Sequence, residues 1–188
     1  HLVAEEGHNE ICKVFIDLGA NPNPTTNEGR SALEYATISG QFETFKLIME
    51  TQNEKNPLLK NWDGRTLLHL AASHGHLDIF RYIIAQGLET VSPRDDRGCT
   101  PLHDAAYFGE LEMVKCIMDK LEDKNPKNLD GETPMHLAVQ KGDYDICKVL
   151  INHGADPNPT DNEGITALDL ANSNQEIRDL ILKTLVKI

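Results

Sequence analysis

Basic charge is scarce in this chain: its 188 residues hold 18 Lys and Arg against 30 Asp and Glu, a formal net charge of -12. A field of that sign repels phosphate backbones and anionic headgroups, so neither nucleic acid nor a membrane surface is an expected partner. Long apolar runs are missing too. No stretch approaches the ~20 consecutive apolar residues that cross a bilayer. The opening HLVAEEGHNE carries acids where a secretory signal would have its basic segment, and does not read as one. Cysteine is sparse. Cys12, Cys99, Cys116 and Cys147 form no C-x-x-C pair and match no zinc-ligand spacing. Free thiols in a reducing compartment, cytoplasmic or nuclear, are the expectation. Neither G-x-G-x-x-G nor G-x-x-x-x-G-K-[ST] occurs, which removes the common phosphate cradles. The reading therefore assigns no catalytic residue, no metal and no cofactor.

What the chain does have is an internal period. The segments EGRSALEYATISGQ, DGRTLLHLAASHGH, RGCTPLHDAAYFGE, DGETPMHLAVQKGD and EGITALDLANSN align on Gly29, Gly64, Gly98, Gly131 and Gly164, at steps of 35, 34, 33 and 33 residues. A partial unit, HLVAEEGHNEICKVFIDLGANPN, opens the chain and repeats almost residue for residue from His136. Fixed self-similarity of this length marks a stacked-repeat architecture.

Each unit reads as helix, turn, helix and loop. Thr66, Thr100 and Thr133 stand where a side-chain oxygen can cap a first helix. Pro101 and Pro134 follow at the first helical position, where a missing N–H costs nothing. Gly40, Gly75, Gly109 and Gly142 suit the left-handed residue that ends that helix. The second helix shows apolar spacing at Ile79, Phe80, Ile83 and Ile84, and at Met113, Val114, Ile117 and Met118. Loops such as GADPNPTDNEG, rich in Pro, Asn, Asp and Gly, then turn the chain toward the next unit. One such helix pair cannot bury its apolar faces alone, but stacked neighbours can.

The T-P-L-H strings at Thr100–His103 and, with Met, Thr133–His136, the Gly-His pairs at Gly7-His8 and Gly75-His76, and Gly-Ala-Asp-Pro-Asn at Gly154–Asn158 carry a resemblance to the ankyrin repeat family over the whole chain. The resemblance implies an all-α solenoid of helix-turn-helix units with β-hairpin-like finger loops. Divided by the period, residues 1–188 form one array: a partial repeat 1–25, repeats 26–60, 61–94, 95–127 and 128–160, and a C-terminal capping repeat 161–188. In that last unit Arg178, Asp179, Lys183 and Lys187 are expected to face water. The loop from Met49 to Asn61 departs from the pattern, being two residues longer than a 33-residue repeat requires and lacking the Gly-Ala turn. With no evident N-terminal cap, the reading expects a monomeric fragment, with further repeats or another domain ahead of His1.

Histidine and cysteine are read as scaffold. In the family the imidazole at the position of His1, His69, His103 and His136 hydrogen-bonds backbone of the adjoining loop. Cys12 and Cys147 share one core position, whereas Cys99 follows a finger glycine and is expected to be exposed. The resemblance further implies another protein, folded domain or extended peptide, bound on a concave face of finger tips and first helices. The slots on that face include Glu28, Cys99 and Ser73. Trp62, Tyr107, Phe108 and Leu129 are large and apolar where a bare scaffold needs small polar residues. With Arg65, His74, Arg97, Glu132 and Lys141 they make up the expected partner-binding set, since Trp, Tyr and Arg are enriched among interface hot spots. Among adaptor, targeting arm, catalytic array and inert spacer, the reading favours a non-catalytic interaction scaffold, with the substrate-targeting or localisation arm of a larger enzyme, effector or toxin as the alternative.

Overall fold

The computed structural model of the chain describes residues 1–27, 29–51, 60–87 and 90–186. Among these residues it is all-α, with twelve α-helices and no strand. It divides into two compact units, His1–Thr90 and Val91–Ile188. The irregular stretch 52–59, Glu28 and Lys187 lie outside the described residues.

In the first unit the helices are α1 (Leu2–Glu5), α2 (Asn9–Asp17), α3 (Ala32–Ile38), α4 (Phe42–Thr51), α5 (Leu67–Ser73) and α6 (Leu77–Ala85). First helices pack on first helices, α1 on α3 and α3 on α5, and each packs on the second helix that follows it. The close approach is made by alanine: Ala36, Ala71 and Ala72 are fully buried. Phe45, Ile48 and Met49 of α4, Leu68 of α5, and Ile79, Phe80 and Ile83 of α6 fill the space between layers. Each such side chain contributes about 1.5–3 kcal/mol on leaving water. Ile84 is only half buried.

The second unit repeats this plan with α7 (Pro101–Phe108), α8 (Leu111–Met118), α9 (Pro134–Lys141), α10 (Tyr144–Asn152), α11 (Ala167–Leu170) and α12 (Gln175–Leu185). Its core runs through Leu102, Met113, Val114, Ile117, Met118, Met135, Ile146, Leu150, Ile177 and Ile181. Thr100 is extended at φ -109 and ψ 166, Pro101 opens the helix, and Gly109 closes it at φ 84. Thr133, Pro134 and Gly142 do the same for α9. The last unit differs: α11 runs into a 3-10 turn at Ala171–Ser173, and Asn174 caps α12 by accepting from Ile177 N–H at 3.2 Å. No glycine is used there. Along α12, Lys183 faces water, but so do Leu182, Leu185 and Val186.

The finger loops owe their shape to one residue type that the sequence reading did not single out. Asn61, Asp95, Asn128 and Asp161 each stand three residues before a finger glycine. Each turns its Oδ1 onto two backbone donors of its own loop: Asp63 and Arg65, Arg97 and Cys99, Asp130 and Glu132, Glu163 and Ile165. Short carboxylate and amide side chains do this well because they reach backbone two residues on. Their recurrence at the 33-residue period was the available signal. Among the described residues, strand-like pairing is confined to isolated bridges, Thr25 with Ser31 and Thr160 with Thr166.

Candidate protein-binding face

The histidines that recur at the repeat period are structural by geometry. In the second unit, His103 Nδ1 accepts from Thr100 N–H at 3.1 Å, and its Nε2 lies 3.1 Å from the Glu132 carbonyl. Those partners assign the proton to Nε2, which donates to the carbonyl and ties α7 to the next finger. His136 repeats the arrangement with Thr133 at 3.0 Å and Ile165 at 3.4 Å. Burial drives the His103 imidazole down to about 4, with Arg94 adding to the effect, while the Glu132 carbonyl opposes it. Burial also lowers His136. In the first unit, His69 bonds Thr66 in the same way, and His1 Nε2 meets the Pro24 carbonyl at 2.9 Å.

Cys99 is buried, contrary to the expectation of an exposed finger thiol. Asn128 of the next finger donates to its Sγ at 3.8 Å, so the neighbouring loop covers it. Desolvation raises its pKa, which makes it a poor nucleophile at neutral pH. Cys147 is pushed up further, to about 12, again by burial. In the native protein at pH 8, Cys147 is expected to resist a maleimide while the guanidinium-unfolded chain is labelled completely. Rapid native labelling, located by peptide mapping, would contradict this.

The side chains of the expected binding set divide between the two units. In the first, Trp62 is 74% exposed, its indole edge 3.5 Å from where a Cβ on Gly29 would stand. Arg65 is half buried and points Nη2 at the His69 carbonyl, 3.5 Å away. His74 is exposed, bonds the Leu70 carbonyl at 2.9 Å, and stacks on His76 with ring centres 6.0 Å apart. Ser73 is buried rather than displayed, because its hydroxyl turns back to the Leu70 carbonyl at 3.0 Å.

The remaining residues of the set lie in the second unit. Tyr107 and Phe108 end α7 exposed and meet edge to face at 5.1 Å. Lys141, at the end of α9, places Nζ 4.2 Å above the Tyr107 ring, a contact of about 0.5–1 kcal/mol at an exposed site. The Glu132 carboxylate takes hydrogen bonds from Asn128 at 3.0 Å and Gln140 at 2.9 Å, bracing finger against helix. Leu129 is 69% exposed at a finger tip, while its N–H donates to the Arg97 carbonyl at 2.9 Å. The Arg97 side chain itself is exposed. The surface offers apolar area with charged edges. Among the described residues no group of His, Cys, Asp and Glu is arranged to hold a metal ion, and no helix is long and apolar enough to cross a membrane.

Helix pairs joined by fingers, buried Thr-x-x-His ties and left-handed glycines define a class, and comparison with known families gives the same one. A model of ankyrin repeats (3 copies) matches residues 1–58, 51–128 and 117–188, and the chain belongs to the ankyrin repeat family. Ankyrin repeats are generally protein-interaction modules. Similar proteins include the transient receptor potential cation channel subfamily A member 1 homolog of Caenorhabditis elegans, 29% identical over 119 residues, 63% of this chain and 10% of that protein. The probable E3 ubiquitin-protein ligase XBOS32 of Oryza sativa subsp. japonica is 28% identical over 148 residues, 63% of this chain and 30% of the ligase. The mitochondrial liver isoform of glutaminase of Rattus norvegicus is 40% identical over 60 residues, 32% of this chain and 10% of the enzyme. In each of these three relatives the chain therefore spans well under half of the length.

Proposed function

We propose that this chain is a non-catalytic protein-interaction scaffold that holds another protein on the face made by its finger tips and first helices. The observation that carries the reading is the solvent-exposed Tyr107–Phe108 pair with Lys141 seated on it, a large aromatic surface at the end of a first helix. Aromatic residues give interfaces much of their energy because they bury a large rigid area at small entropic cost. Trp62 supplies the same chemistry in the first unit. A folded domain and an extended peptide both remain compatible with this face, in a cytoplasmic or nuclear setting, and a net charge of -12 disfavours nucleic acid and anionic membranes. The array is read as monomeric, and the division into repeats with a capping unit at 161–188 as its architecture.

A second reading has its own support. The relatives include a ubiquitin ligase and a glutaminase in which a segment like this one is a small part of the whole. The chain would then be the targeting arm of a larger enzyme, effector or toxin, with the chemistry carried elsewhere.

The test is an affinity capture from cell lysate with wild type and a Trp62→Ala/Phe108→Ala double variant, folding being checked by circular dichroism. A partner retained by wild type and lost by the double variant supports the face. For the purified partner, Trp62→Ala alone is expected to weaken binding by about 2 kcal/mol. Equal retention by both proteins would overturn the assignment.

A further inference from the structure

One repeat lacks the histidine tie. Ser31 and Glu34 stand where Thr66 and His69, Thr100 and His103, and Thr133 and His136 stand in the others. Glu34 fills half of the role. Its Oε2 accepts from Ser31 N–H at 2.7 Å, as Nδ1 of His103 and His136 accepts from Thr100 and Thr133. The other half is left undone. In those two repeats Nε2 donates to a carbonyl of the next finger, whereas a carboxylate has no proton to give. Glu34 Oε1 has no hydrogen-bond partner among the described residues.

Where the ring is missing there is space. A cleft of about 130 Å³ opens between Glu34 and the start of the next finger, lined by Ser31, Leu33, Glu34, Lys60, Asn61 and Leu67 among others. Leu33 and Leu67 are buried and make part of its wall apolar. Gly29 lines it too, and a Cβ placed there would stand 3.5 Å from the Trp62 indole nitrogen. The exposed Trp62 ring therefore stands beside the cleft. The protein's own neighbouring cations are directed elsewhere. Arg30 lies over the Tyr35 ring at 5.6 Å, Arg65 points at the His69 carbonyl, and Lys60 is engaged in an interaction of its own.

We propose that this cleft receives an arginine side chain of a bound protein partner, its guanidinium donating to Glu34 Oε1 and lying against the Trp62 ring. The proposal rests on the reading of the finger face as a protein-binding surface and names the chemistry that the first unit selects. The cleft offers an acceptor with negative charge, an apolar wall and an indole. A guanidinium matches all three: it is planar, always charged and stacks on aromatic faces. It is also more weakly hydrated than an ammonium, so it enters a partly enclosed apolar space at smaller cost.

The test is titration of the full chain with the peptide Ac-Gly-Arg-Gly-amide at millimolar concentration. NMR follows the Ser31 and Leu33 amides and the indole N–H of Trp62, the one tryptophan in the chain. The arginine peptide is expected to shift all three, and to bind at least about threefold more tightly than its lysine counterpart. The citrulline peptide, neutral and of the same shape, should bind about tenfold more weakly. So should the arginine peptide to Glu34→Gln, which keeps the capping contact and loses the charge. Glu34→His puts the imidazole back, and is expected to fill the cleft and abolish binding; it also serves if Glu34→Gln does not fold. Equal binding of the three peptides, undiminished binding to either variant, or no shift with any peptide would overturn the proposal. If the peptide fails while a partner is still captured through Trp62 and Phe108, the cleft falls and the interaction face stands. If the peptide binds as expected but no partner is captured, the cleft is supported and the wider face is not.

Discussion

Lowering the pH from 6.5 toward 4 is expected to remove about 3 kcal/mol of stability from the second unit through His103 alone. In the unfolded chain this imidazole takes a proton near pH 6.5. In the fold it stays neutral until about 4, held down first by desolvation. The geometry explains the reluctance: a proton on Nδ1 would face the Thr100 N–H that now donates to it. Between those two values the unfolded state binds more protons, so stability falls with pH. The His103 contribution is complete above 6.5 and lost below 4. His136, lowered by the same cause, acts in the same direction. Urea unfolding at pH 7, 6 and 5 checks this. His103→Gln should be less stable at pH 7 and show a shallower decline toward pH 5. Parallel declines in the two proteins would remove His103 as the source.

Gly131→Ala should destabilise the same unit by about 3 kcal/mol, more than any other finger glycine whose surroundings are open. Gly131 has φ +79, which an alanine adopts only with strain. A Cβ there would also stand 2.6 Å from the Asn162 backbone nitrogen and against its side-chain oxygen. Asn162 is the link between fingers, donating from its backbone to the Asp130 carbonyl at 3.0 Å and from its side chain to the Leu129 carbonyl at 2.9 Å. Gly164, at φ +84, has nothing within 4 Å of the same point. Gly164→Ala therefore carries only the conformational cost, about 1–2 kcal/mol. The difference between the two midpoints in chemical denaturation isolates the close approach. Equal losses would mean that φ alone matters at both positions.

Local chemistry was legible from residues. Thr100 and Thr133 begin helices, Gly109 and Gly142 end them in the left-handed region, and the histidines tie each first helix to a neighbouring loop. The caps rest on contacts within a few residues, whereas the histidine ties span 29 residues and follow from the family resemblance. The finger residues Asn61, Asp95, Asn128 and Asp161 obey the same local logic.

Exposure was harder to read. Cys99 was expected in water and Ser73 on the open face. One is covered by Asn128 of the next finger, and the other is turned back onto its own helix. The apolar set of the candidate face, Trp62, Tyr107, Phe108 and Leu129, is exposed, and Lys141 over Tyr107 adds a contact between α7 and α9 that no spacing announced.

The sequence by itself determined the helical period, the capping of each helix and the membership of this chain in the ankyrin repeat family, because backbone preferences and short-range hydrogen bonds belong to the residues that make them. Tertiary structure alone decided which equivalent positions meet solvent. Ile11 and Ile146 stand at matching positions of two repeats, yet Ile11 is 44% exposed and Ile146 0%. Burial depends on the neighbour that supplies the covering atoms, and no residue carries that neighbour in its own sequence.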